Sequence, residues 1–183
     1  MDAVKVCAVP SARVPIVGGR VLIGRCNPVI NGDFRDLTGL VARPDGWYGG
    51  MPAGWVGRAG QIFAVKTFGQ TFFANLHVLT RETGVFFRQD VGRSCCGRVS
   101  LRFYVDNPYN NALYGDYSLT YQIIADGAVA ASEVVSGGRN APRTVTLQAQ
   151  VKAGAPIAIA FCKGALNHAM GITDVSMVGV VRD

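Results

Sequence analysis

Asn27-Pro28-Val29-Ile30-Asn31-Gly32-Asp33-Phe34, with Asp45-Gly46-Trp47-Tyr48 after it, decides how this chain is read. Pro28 keeps the residue before it out of helical geometry, and Val29 and Ile30 favour extended backbone. Asn31-Gly32 then offers the positive φ angles of a sharp reversal. The run therefore reads as the opening of a β domain: an extended lead, a tight turn and an aromatic to bury. At the far end, Gly171-Ile172-Thr173-Asp174-Val175-Ser176-Met177-Val178 alternates apolar and polar residues and reads as the closing strand to which such an opening is tied.

Between these ends the pattern predicts strands and almost no helix. Gln61 to Lys66 and Thr71 to Leu79 read as strands, the second setting Phe72, Ala74, Leu76 and Val78 against Phe73, Asn75 and His77. In Gly84 to Val91, the residues Val85, Phe87, Gln89 and Val91 share a face. In Arg98 to Val105 the inward set is Val99, Leu101, Phe103 and Val105, with Ser100, Arg102 and Tyr104 opposite. A polar loop from Asp106 to Asp116 leads to a strand over Tyr117 to Ala125. Asp126-Gly127 is a two-residue hairpin signal into Ala128 to Val135, and further strands are expected over Thr144 to Val151 and Ile157 to Cys162. Nine or ten short strands with regular turns predict an all-β fold, a jelly-roll β-sandwich over residues 27–183. Residues 1–26, punctuated by Pro10, Pro15 and Gly18-Gly19, are expected to form an extended N-terminal arm for assembly contacts.

Composition bounds the function. Of 183 residues, 49% are hydrophobic and 16% charged, which argues for a packed core and against disorder. The net charge of +6 comes mostly from arginines scattered between Arg13 and Arg182, with no nucleic-acid reader motif beside them, so nucleic acid is not expected as a partner. Cys7, Cys26, Cys95, Cys96 and Cys162 are odd in number and lack Cys-x-x-Cys spacing, which excludes a disulfide framework and a zinc motif and points to synthesis in a reducing compartment. Asp2, Lys5, Pro10 and Arg13 interrupt any secretion-signal core, and no apolar run is long enough to span a membrane as a helix. His77 and His168 stand outside any nucleophile motif, and Glu82 and Glu133 are the sole glutamates, so no catalytic constellation is expected.

The order of these features resembles the jelly-roll carbohydrate-binding modules with a galactose-binding-like fold. The resemblance rests on Val29 to Phe34 with Gly46-Trp47 after it, on Val85 to Val91 with its glutamine, on Leu101 to Val105 and on Ile172 to Val178. The same pattern is similar to β-sandwich domains on the tail fibres and head decorations of tailed bacteriophages. Many such binding modules carry an acidic residue after the phenylalanine that helps hold a structural calcium; here that place is Arg35, which leaves Asp33 and Asp174 as calcium ligands. A sugar-binding role calls for exposed rings against which a pyranose face can stack, with amides and carboxylates for its hydroxyls. Trp47, Tyr48, Trp55, Tyr104, Tyr109 and Tyr114 are the candidates, with Arg102, Asp106, Asn107 and Asn110 as polar partners. The competing reading makes Trp47 a core plug under the opening loop and the loop tyrosines subunit contacts.

These readings lead to an expectation of a non-enzymatic virion protein of a bacteriophage, made in the host cytoplasm and displayed on the particle surface as a capsid decoration or a head or tail fibre. It would self-associate, with three copies the expected number, contact capsid or tail proteins through its arm, and hold host glycans through its aromatic loops. The alternative is an extracellular carbohydrate-binding module that works beside a polysaccharide-degrading enzyme.

Overall fold

A computed structural model of the chain describes residues 27–57, 64–68, 70–75, 84–106, 117–137, 142–163 and 171–182. The expected arm, His77, Asn107, Tyr109, Asn110, Tyr114, His168, Cys7 and Cys26 lie outside them.

The described residues form strands and turns without a helix. In chain order the strands are Val41–Ala42 (β1), Trp47–Gly49 (β2), Val56–Gly57 (β3), Ala64–Phe68 (β4), Thr71–Asn75 (β5), Gly84–Ser94 (β6), Arg98–Asp106 (β7), Tyr117–Ala125 (β8), Ala128–Gly137 (β9), Arg143–Gln150 (β10), Pro156–Lys163 (β11), Gly171–Val178 (β12) and Val180–Val181 (β13). They build two antiparallel sheets. The seven-stranded sheet has the order β1-β2-β4-β5-β12-β7-β10, and the six-stranded sheet the order β13-β6-β11-β8-β9, with β3 paired to β6. The chain is a β-sandwich, as the alternation of its strands requires.

The long strands follow the sequence closely. On β7, Val99, Leu101, Phe103 and Val105 are all at or below 1% exposure, while Arg102 points outward. Asp126 and Gly127 both take positive φ (49° and 78°), the geometry that matches the twist of a two-residue hairpin between β8 and β9. Phe103 and Phe161 meet edge to face across the core at 5.1 Å.

The opening loop is stitched to the closing strand by side chains and backbone rather than by a ladder. Asn27 accepts from Val29 N and Met177 N with Oδ1, and donates from Nδ2 to the Val175 carbonyl. Val175 N donates to the Gly32 carbonyl at 2.9 Å, and Arg182 Nη1 donates to the Pro28 carbonyl at 2.9 Å. A Cβ at Gly32 would stand 2.2 Å from the Val175 carbonyl oxygen, so glycine is required there by close approach. From below, Gln89, only 1% exposed, clamps Ile30: its Oε1 accepts from Ile30 N at 2.7 Å, and its Nε2 donates to Ile30 O at 2.9 Å. One buried amide thus satisfies two backbone groups of a turn that no strand can pair.

The aromatic under this loop is Trp55, not Trp47. Trp55 is 3% exposed, stacks on Phe87 at 4.2 Å and touches Phe34 at 5.5 Å, while its indole N–H donates to the Asn31 carbonyl at 3.3 Å. Trp47 lies half-buried on β2, near the far edge of the seven-stranded sheet. The expectation of a plug was right in kind and placed on the wrong tryptophan.

Candidate functional site

β12 runs between β5 and β7, and its register against β7 breaks between Thr173 and Ser176. Asp174 sits in that break with φ of 52°. A bulge of this sort bends the strand and re-aims its side chains. Here it turns Asp174 outward between two neighbours, Thr173 and Val175, that are buried. The opening loop closes one side of the depression that results. Asn27, Asn31, Gly32 and Asp33 come from that loop, Arg102 and Tyr104 from β7, Thr144 from β10, and Asp174 and Ser176 from the bulge, over an apolar floor of Val29, Phe103 and Val175. The cleft encloses about 570 Å³, within the range of small-ligand sites.

Four residues singled out in the sequence, Asp33, Arg102, Tyr104 and Asp174, therefore meet in one place although they are far apart along the chain. Tyr104 is half-buried, and burial, followed by the nearby charges of Asp106 and Asp174, raises its pKa above the ordinary phenol value. Like any tyrosine it keeps its proton at neutral pH and can donate to a ligand oxygen. Arg102 and Thr144 are exposed donors beside it, and Asp33 and Asp174 are exposed acceptors.

From Tyr104 the outer face of the seven-stranded sheet can be followed by strand register. Directly opposed residues of antiparallel strands share a face. Trp47 is opposite Lys66, and Lys66 is opposite Phe73. The Phe73 ring is 6.3 Å from that of Tyr104, and Tyr104 is opposite Thr144. Trp47 and Tyr104 thus belong to one face, four strand spacings apart, or about 19 Å. Phe73, between them, is 4% exposed and lies against Gly171, where a Cβ would come within 2.9 Å of it.

Two of the expected platforms are not on this face. Trp55 is buried in the core and offers no ring to solvent. Tyr48 is opposite the fully buried Val65 and packs against the core from the inner side. Phe73 and Thr144 were not among the candidates. The alternation of Thr71 to Leu79 already set Phe73 on the face of Asn75, opposite Phe72 and Ala74, and that was the signal for it.

Asp33 and Asp174, the two expected calcium ligands, share the cleft. Calcium takes six to eight oxygens, usually with several carboxylates. The Asp33 carboxylate is engaged by Arg35, through the Arg35 backbone N–H at 3.4 Å and the guanidinium at 3.6 Å. Among the described residues no group of three or more His, Cys, Asp or Glu is arranged to hold a metal ion.

Comparison of the sequence with protein families finds no match, and comparison with curated proteins finds none either. Solved structures do match. A cyclase from Fischerella sp. TAU, in complex with 4-(1H-indol-3-yl)butan-2-one, superposes with a TM-score of 0.65 at 12% identity, covering 86% of this chain and 98% of that one. The arabinose-bound α-L-arabinofuranosidase MgGH51 gives 0.53 at 14% identity over 68% of this chain, which spans 23% of that enzyme's length. The CBM22-1 xylan-binding domain of Paenibacillus barcinonensis Xyn10C gives 0.49 at 12% identity, covering 73% of this chain and 90% of that one. At such identities the likeness to the cyclase and to the arabinofuranosidase is one of fold.

Proposed function

We propose that this chain is a non-enzymatic carbohydrate-binding β-sandwich whose ligand lies in the Tyr104 cleft and extends along the outer face of the seven-stranded sheet. The observation that carries the reading is the meeting of Tyr104, Arg102, Thr144, Asp33 and Asp174 around one open cleft. A sugar ring offers an apolar face and a rim of hydroxyls. It suits a site that pairs a half-buried aromatic with exposed carboxylates, a guanidinium and a hydroxyl. Trp47, about 19 Å away on the same face, is in reach of a chain ligand and out of reach of a single sugar. The reading therefore favours an oligosaccharide over a monosaccharide.

Retention on a panel of insoluble and gel-immobilised polysaccharides tests it. Retardation by at least one polysaccharide, relieved by the matching free oligosaccharide, is the expected result. Passage through the whole panel without delay would count against the reading.

Display on a bacteriophage particle is a second setting for the same module. Its support is the likeness of the Asn31-Gly32-Asp33-Phe34 opening to phage appendage domains. Mass spectrometry of purified particles tests it; stoichiometric recovery of this polypeptide is the outcome that setting requires.

A further inference from the structure

The turn between β6 and β7 holds a chemical feature that glycan binding does not use. Its residues are Ser94-Cys95-Cys96-Gly97, and the Sγ atoms of Cys95 and Cys96 stand 3.2 Å apart. Cys95 is half-buried and Cys96 exposed, so the pair is open to reagents in solvent. The backbone around it is fixed on three sides. Ser94 N donates to Ala155 O at 2.9 Å, Cys95 N to Gly179 O at 2.9 Å, and Val151 N to Gly97 O at 2.7 Å. The Ser94 hydroxyl accepts from Gly97 N at 3.2 Å and closes the turn, with Gly97 at φ of 76°.

We propose that Cys95 and Cys96 form a vicinal dithiol that oxidises reversibly to an intramolecular disulfide and that chelates soft, thiophilic bridging ligands such as trivalent arsenicals. The two sulfurs stand 3.2 Å apart in the structure. A disulfide needs them at about 2.05 Å, so closure takes a movement of roughly 1 Å in side chains that already face each other. The oxidant is a peroxide. One thiolate attacks the peroxide oxygen and becomes a sulfenic acid, releasing one water; the neighbouring thiol attacks that sulfur and releases a second. Two thiols and one hydrogen peroxide thus give one disulfide and two waters. Adjacent residues have Cα atoms about 3.8 Å apart, below the usual disulfide span of about 4.4 to 6.8 Å. The ring is therefore strained and readily reduced, and the site is a reversible one.

Cys162 supplies an internal contrast. It lies on β11, its thiol donates to Gln122 Oε1 at 3.6 Å, and burial raises its pKa, which keeps it protonated and slow to react.

Trypsin cuts after Arg93 and Arg98 and releases residues 94–98, which contain Cys95 and Cys96 and no other cysteine. The full chain is treated with a slight excess of hydrogen peroxide, alkylated with iodoacetamide under denaturing conditions and digested. The expected result is a 94–98 peptide without alkyl groups and two hydrogens lighter, which regains two alkyl groups if the protein is first reduced with dithiothreitol. Phenylarsine oxide should protect both thiols at one equivalent, and Cys95→Ser and Cys96→Ser should each abolish that protection. A doubly alkylated peptide after peroxide, its cross-linking to another peptide, or arsenical protection that survives in either variant would overturn the proposal.

Discussion

Gln89 shows how much a single side chain decides in this molecule. A buried polar residue on a strand is costly unless its donors and acceptors are matched, and both ends of the Gln89 amide are matched by Ile30. Gln89→Leu keeps the volume and strands the Ile30 N–H and C=O. A loss of about 1–3 kcal/mol in urea unfolding is expected, because two part-buried backbone groups lose their partner. Gly32→Ala should also destabilise, by at least about 1–3 kcal/mol, because the added methyl collides with the Val175 carbonyl. Tyr121 carries a pH signature. Its hydroxyl donates to Glu133 Oε2 at 2.8 Å, and burial followed by that bond pushes its pKa up to about 12. The folded state holds this proton more tightly than the unfolded chain does, whose tyrosine ionises near pH ~10. The stability it contributes is complete below about pH 10 and is lost as pH rises toward 12. Tyr121→Phe should flatten that decline in unfolding curves recorded between the two values. At this scale the sequence made the reversal at Asn31 legible, with φ of 48°, and set Gln89 on one face with Phe87 and Val91, whereas Gly32 does not take the positive φ expected of it and is required by close approach instead. The sequence did not separate Trp55 from Trp47, because Trp55 follows a Gly-Gly-Met-Pro-Ala-Gly segment with no periodicity, and its burial is set by Phe34 and Phe87, which are distant in sequence.

Among the elements, strands with strict alternation were legible almost to the residue: β8 and β12 fall where Tyr117 to Ala125 and Gly171 to Val178 placed them. The two- and three-residue strands β1, β2, β3 and β13 are too short for any period to show. The bulge at Asp174 was missed although the sequence carries its mark: two polar residues in a row, Thr173 and Asp174, shift the apolar positions from Ile172 to Val175 and Met177. That bulge forms the cleft, so the residues of the site were legible one by one while their meeting place was not. Among the described residues, β9 is an edge strand of the six-stranded sheet. Val129 and Val134 on it are 54% and 59% exposed, and Glu133 is its sole charge. A long, weakly charged edge is a template for pairing with other chains. Val134→Lys should reduce light scattering at high protein concentration while changing stability by less than about 0.5 kcal/mol. Unchanged scattering would show that association runs through another surface.

For the whole molecule, the two sheets divide the work. The inner faces form a core that Trp55, Phe87, Phe103 and Phe161 fill with contacting rings, and Trp55→Ala should cost about 3–5 kcal/mol in unfolding. The outer face of the seven-stranded sheet keeps Trp47, Tyr104 and Thr144 on the side away from that core. A change on this face should therefore alter binding without unfolding the sandwich, which separates function from stability by experiment. The most direct measurement is isothermal titration of the oligosaccharide that competes best in the retention panel, against the wild-type chain, Tyr104→Ala and Arg102→Ala, with urea unfolding of all three. The account predicts at least a tenfold weakening in both variants and unfolding midpoints close to the wild type. Wild-type affinity in both variants would contradict it and place the ligand elsewhere on the molecule.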